Sequence, residues 1–169
     1  TLLEGYGATE TSPVISVNSV EFNRPGSTGK VIPNVQVRIE NFETGKECVT
    51  REVGKILVKG DSVMNGYYDD PELTAEALTD GWYNTGDMGF FDEDNYLWHA
   101  GRFKRFAKIG GEMISLVKVE NILEKYLPAG LSCCVVEVSD EKKGSYIVAT
   151  ISSEVNKTEI LRKMLKDLP

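Results

Sequence analysis

Thr9 and Glu10 set a hydroxyl beside a carboxylate, just after a tyrosine flanked by two glycines, Gly5-Tyr6-Gly7. A hydroxyl beside a carboxylate can hold a phosphate oxygen and a hard cation together. A tyrosine face can stack on a flat ring, and glycine lets backbone come close to a ligand. Asp87 closes the run Trp82-Tyr-Asn-Thr-Gly-Asp87. A carboxylate there accepts two hydroxyl hydrogen bonds, so it can fix a sugar diol. Arg102, Lys104, Arg105 and Lys108 then put four cations within residues 101–108, and Gly110-Gly111 follows directly. Each patch has a plainer reading beside the chemical one: a polar loop between strands at 1–12, a capping aspartate in a turn at 87, and a solvated surface at 102–108.

Other side chains exclude chemistry. His99 is the single histidine, so a paired-histidine metal site and a relay of several histidines are ruled out. In its alternating run it reads as a structural strand residue. Cys48, Cys133 and Cys134 suit neither a disulfide framework nor a zinc site, and read as reduced thiols of a cytosolic protein. The net charge of −7 argues against nonspecific nucleic-acid binding. The distribution is uneven: residues 40–100 hold 14 acids and 4 bases, and residues 101–125 hold 3 acids and 6 bases. A basic island on an acidic chain suits a phosphate or an acidic partner. No apolar run approaches the roughly 20 residues of a membrane helix. The chain opens at Thr1 with no signal-like segment, and the expectation is an excised piece of something longer.

The elements that must position these residues follow from pattern. Residues 13–34 carry three prolines and two glycines and read as loop. Val35–Ile39 alternates and reads as a half-buried strand, with a second strand at 54–59. Asp70 is a good N-cap and Pro71 a good first residue for a helix to about Leu78 that stops at Gly81. Residues 88–92 and 96–100 read as a hairpin around Glu93–Asn95, with Phe91, Tyr96 and Trp98 as core or cross-strand residues. The expectation for this part is a β-rich, barrel-like or sandwich body.

The tail reads β-β-α-β-β-α. Strands are expected at 106–109 and 113–115, and a helix capped by Ser115 presents Val119, Ile122, Leu123, Tyr126 and Leu127 on one face. Two more strands, 132–138 and 146–151, flank the charged turn 140–144. A last helix opens at Asn156 and runs through Ile160, Leu161, Met164, Leu165 and Leu168. The fold class is α+β, with helices on one side of a sheet in this smaller part.

Four patches together carry a family resemblance: Gly5-Tyr-Gly-Ala-Thr-Glu10, Gly26-Ser-Thr-Gly-Lys30, Trp82-Tyr-Asn-Thr-Gly-Asp87, and Gly101-Arg-Phe-Lys-Arg-Phe-Ala-Lys-Ile-Gly-Gly-Glu112. In this order and spacing the chain resembles the adenylate-forming superfamily of acyl-CoA synthetases, luciferases and peptide-synthetase adenylation domains. Residues 4–18 and 104–115 look most like its acyl-[acyl-carrier-protein] synthetases, as found in bacterial bifunctional 2-acylglycerophosphoethanolamine acyltransferases.

That resemblance implies two steps. A fatty acid carboxylate attacks the α-phosphate of Mg·ATP to give acyl-adenylate and pyrophosphate. A phosphopantetheine thiol of acyl carrier protein, or alternatively of CoA, then takes the acyl group and releases AMP. It implies ATP and Mg2+ as cofactors, fatty acid and lysophospholipid as further partners, and a cytoplasmic-face setting at the bacterial inner membrane for a soluble piece. Carried over by residue, Tyr6 and Gly7 line the adenine, Thr9 contacts phosphate, Glu10 is the Mg2+ carboxylate, and Asp87 and Arg102 hold the ribose. Residues 1–101 become the end of the large nucleotide-binding domain, 102–105 a hinge with Lys104 and Arg105, and 106–169 a truncated lid. Gly110, Gly111 and Glu112 line a pantetheine tunnel. Arg105 departs from the superfamily's usual aspartate or lysine, and Leu116 from its common proline. The basic run is then read as a dock for an acidic carrier protein, against the reading of Arg105 as a hinge variant.

A glycine-rich phosphate loop and the adenylation lysine are expected outside residues 1–169, and the isolated chain is expected to be inactive. The alternatives are a long-chain acyl-CoA synthetase and a non-catalytic module that binds nucleotide or a partner.

Overall fold

A computed structural model describes residues 2–140 and 144–167. The chain divides into two compact units, Thr1–Phe103 and Lys104–Pro169. Among the described residues no helix is long and apolar enough to cross a membrane.

The first unit opens with β1 (Gly5–Gly7), a 3-10 turn at Thr9–Thr11, β2 (Val14–Val17) and β3 (Lys30–Val31), forming an antiparallel sheet in the order β1-β2-β3. Glycine at position 7 lets β1 come close to the start of β2. A Cβ there would sit 1.9 Å from the Pro13 carbonyl oxygen. Next come β4 (Val35–Glu40) and β5 (Gly54–Gly60), paired so that Val37 faces Val58 and Ile39 faces Ile56. Asp70 caps α1 (Pro71–Ala77) by accepting the Leu73 amide, and Pro71 takes the first turn, as its fixed φ suits. β6 (Leu78–Thr79), β7 (Trp82–Phe91) and β8 (Leu97–Arg102) complete a five-stranded sheet ordered β4-β5-β7-β6, with β8 also on β7. Ile15, Ile39, Ile56, Val58 and Leu97 form its buried core. The Thr28 amide donates to the Leu97 carbonyl at 2.8 Å and the Leu97 amide to the Gly29 carbonyl at 2.9 Å, stitching the start of β8 to the loop before β3.

Three expectations need correction here. The 13–34 segment contains β2 and β3 rather than loop alone. Residues 82–87, where the plainer reading of Asp87 is a capping aspartate in a turn, lie in the ten-residue strand β7. Gly81, Asn84 and Gly86 break the apolar alternation, but pairing of Tyr83 and Asn84 with Val58 and Leu57 supplies the strand from outside the local pattern. The strands also do not close into a barrel, since the five-stranded sheet and the three-stranded sheet each remain open.

The second unit is β9 (Phe106–Ile109), β10 (Glu112–Ser115), α2 (Leu116–Glu124), β11 (Cys133–Asp140), β12 (Gly144–Ile151) and α3 (Lys157–Met164), the order that pattern predicts. Its strands make two separate antiparallel hairpins, β9-β10 and β11-β12, rather than one sheet. Ser115 accepts the Lys118 amide and Asn156 the Glu159 amide, so both helices carry the expected caps. Val119, Ile122 and Leu123 bury the predicted face of α2 against Ala107, Val135, Ile160 and Met164. The face of α3 is narrower than its apolar content suggests: Ile160 and Met164 are buried, whereas Leu161 and Leu165 are 58% and 72% exposed. The turn expected at 140–144, apart from its two ends, and Leu168 lie outside the described residues.

Candidate active site

Asp87 is the centre of the site in the first unit. It lies on β7 opposite Arg102 on β8, and its side chain is almost fully buried. Tyr6, arriving on β1, donates its hydroxyl to Asp87 Oδ2 at 2.6 Å. Arg102 Nε sits 2.9 Å from Oδ1, and His99 Nε2 3.5 Å from the same oxygen. The Arg102 approach is close enough for charge attraction but is not aligned as a hydrogen bond, so Oδ1 remains an acceptor without an in-line donor. Burial alone would push the Asp87 carboxyl up. His99, Tyr6 and the Arg102 charge outweigh it and hold the carboxyl below its usual range. The Tyr6 hydroxyl is driven the other way, first by burial and then by its bond to Asp87.

A strand irregularity brings these groups together. Residues three apart on a regular strand point to opposite faces. Met88 faces Gly101 and Gly89 faces His99, so β8 carries one extra residue, Ala100, between them. The bulge turns His99 and Arg102 to the same side, toward Asp87. Gly101, at φ 119, absorbs the backbone conformation next to it.

Glu10 and Thr9 lie in the turn after β1, with Thr9 exposed and Glu10 half-buried. The Tyr67 hydroxyl donates to Glu10 Oε1 at 3.0 Å. A backbone amide, then the Tyr67 and Tyr83 hydroxyls, then the Arg102 charge hold the Glu10 carboxyl below its usual range. Burial raises the Tyr67 and Tyr83 hydroxyls above theirs. Among the described residues no three His, Cys, Asp or Glu side chains gather as a metal cage. A lone ionised carboxylate instead fits a Mg2+ ion that arrives on substrate phosphates and keeps most of its shell from them and from water.

Of the residues picked out from sequence, the fold joins Tyr6 and Arg102 to Asp87, whereas Glu10 is held by Tyr67 and Thr9 is exposed. Sequence reasoning missed Tyr67 and Tyr83, and it read His99 as merely structural. The glycine at position 7 was expected to admit a ligand; its tightest demand is the Pro13 carbonyl within its own hairpin.

The remaining expected residues belong to the second unit or to its first turn. Lys104 is exposed, whereas Arg105 is engaged at home: it bonds the Glu120 carboxylate at 2.5 Å and the Val135 carbonyl at 3.1 Å. Glu120 also accepts the Val135 amide at 2.7 Å, so Arg105, Glu120 and β11 form one local network. Gly110 and Gly111 make the β9-β10 turn at φ 61 and 93, with open space where a Cβ would stand, and Glu112 starts β10.

Residues 1–68 match the family model for AMP-binding enzymes. The long-chain-fatty-acid–CoA ligase of Bacillus subtilis (strain 168) is 40% identical over 151 residues, covering 89% of this chain and 27% of the relative. The ATP-bound crystal structure of MatB from Rhodopseudomonas palustris superposes with TM-score 0.85 at 30% identity, over 99% of this chain and 34% of that one. O-succinylbenzoate CoA synthetase (MenE) from Bacillus subtilis, in complex with its acyl-adenylate intermediate, gives TM-score 0.84 at 30% identity, over 99% and 35%. The chain thus spans about a third of the length of the relatives it matches. Residues 1–68 thus match AMP-binding enzymes, and over nearly its whole length the chain is similar to adenylate-forming CoA ligases.

Proposed function

We propose that the protein carrying this chain activates a fatty acid with ATP, forming an acyl-adenylate, and passes the acyl group to a phosphopantetheine thiol. The observation that carries this reading is the Asp87 carboxylate, buried and ionised, with Oδ1 lacking an in-line donor beside Arg102 and Tyr6. A ribose hydroxyl is a donor of the right kind for that oxygen. In this reading Asp87 and Arg102 hold the ribose, and Tyr6 and Gly7 border the adenine. Thr9 contacts phosphate, and Glu10 faces the Mg2+ that ATP brings. Mg2+ would neutralise charge on the phosphates; the chain's own residues orient the nucleotide so that the carboxylate can approach in line.

Residues 1–101 then belong to the nucleotide-binding body, 102–105 to a hinge and 106–169 to a lid whose Gly110, Gly111 and Glu112 border the thiol's path. CoA and holo-acyl carrier protein present the same thiol arm. The name of the Bacillus subtilis relative favours CoA. The basic run at 102–108 favours the carrier protein, although Arg105 is already committed to Glu120.

The test uses the whole protein with ATP, Mg2+ and a long-chain fatty acid, and compares AMP release with CoA and with holo-acyl carrier protein. Acid-dependent AMP release that accelerates with either thiol supports the reading, and the faster thiol names the acceptor. ATP left unconsumed with both would leave the non-catalytic alternative in its place.

A further inference from the structure

The Glu10 carboxylate is braced from a segment that no motif links to it. Besides the Tyr67 hydroxyl on Oε1, the Met64 amide donates to the Glu10 carbonyl oxygen at 2.8 Å, so both backbone and side chain of Glu10 are tied to the loop after β5. Tyr67 is fixed in turn. Its amide donates to Thr74 Oγ1 at 2.8 Å, and that hydroxyl donates to the Asp70 carbonyl oxygen at 2.7 Å, at the cap of α1. Gly66 permits the close approach: a Cβ there would lie 2.8 Å from Thr74 Cγ2, and its φ of 152 disfavours other residues. Tyr83 is 5% exposed on β7. A carboxylate held by a hydroxyl donor keeps one orientation, which a hard cation needs when the protein offers it a single ligand.

Building on the reading of Glu10 as the cation-side carboxylate, we propose that Tyr67 is a positioning residue for it, and that segment 66–74 is the brace of the Mg2+·triphosphate subsite. Tyr67 acts through Glu10 and touches no reacting atom.

The test measures binding rather than turnover. In the whole protein, a nonhydrolysable ATP analogue is titrated with Mg2+ by calorimetry for the wild type, Tyr67→Phe, Glu10→Gln and Tyr68→Phe. Tyr68 is the fully exposed neighbour and serves as control. AMP affinity, which needs no cation, is measured alongside.

The expected result is a Mg2+ requirement raised about tenfold in Tyr67→Phe, in line with loss of a partner to a metal-facing ligand, with AMP affinity and the Tyr68→Phe variant unchanged. A raised requirement in Glu10→Gln with none in Tyr67→Phe would overturn the positioning role and leave the Glu10 reading standing. No change in Glu10→Gln would overturn both. Equal loss of AMP affinity in Tyr67→Phe would make the tyrosine a general scaffold residue and also overturn the proposal.

Discussion

Two buried aspartates with opposite partners show how single residues divide labour in the first unit. Asp87 keeps an acceptor without an in-line donor. Asp92 is saturated: Arg24 bonds it at 2.6 Å, the Trp98 indole at 2.8 Å, and the amides of Asp94 and Tyr96 at 3.0 Å. Burial alone would raise the Asp92 carboxyl, but these donors push it down to about 2. The folded value lies below the ordinary carboxyl value near 4, so the stability it contributes is present above about pH 4 and lost as pH falls toward 2. The expected size is on the order of 2 kcal/mol. Urea unfolding of wild type and Asp92→Asn should therefore differ most near neutral pH, and the gap should narrow between about pH 4 and 2; a gap independent of pH would contradict the assignment. In the sequence, Tyr6, Glu10, Asp87 and Arg102 were legible because short motifs carry them. Tyr67 was not, because it reaches Glu10 across 57 residues and nothing local marks that meeting.

At the scale of elements, the β7-β8 ladder decides what the site contains. The period of a strand is two, so one added residue changes which side chains share a face. Ala100 is that residue. Taking away the side chain without moving the ladder, Arg102→Met should leave this pairing and the Phe90–Trp98 stack at 5.9 Å in place. The variant is expected to keep its strand content by circular dichroism and to lose AMP affinity roughly tenfold or more, the scale of one charge-assisted contact. Retained affinity would mean that Arg102 takes no part. Helix starts were legible here because caps are local chemistry: Asp70, Ser115 and Asn156 each bond the amide three residues on. The first half of β7 was not legible, since its partner β5 lies far off in sequence and its own residues include Gly86 and Asn84.

For the whole molecule, each unit has its own apolar cluster, and the chain passes from one to the other between Phe103 and Lys104. The α+β order of the second unit was readable from period alone, because short strands and capped helices alternate without long excursions. Open sheets in place of a barrel were not readable, because closure depends on which strands pair and not on how each strand looks. The candidate nucleotide site draws on β1, the turn after it, β7 and β8, all within the first unit. The match to relatives over a third of their length makes acid activation a property to be measured on the whole protein.

That measurement is acid-dependent exchange of labelled pyrophosphate into ATP, made on the wild type and on Asp87→Ala. Exchange is expected only when fatty acid is supplied, with the KM for ATP raised about tenfold or more in Asp87→Ala, as for removal of a buried partner to a ribose hydroxyl. Exchange with an unchanged KM for ATP in Asp87→Ala, or no acid-dependent exchange in the folded wild type, would contradict it.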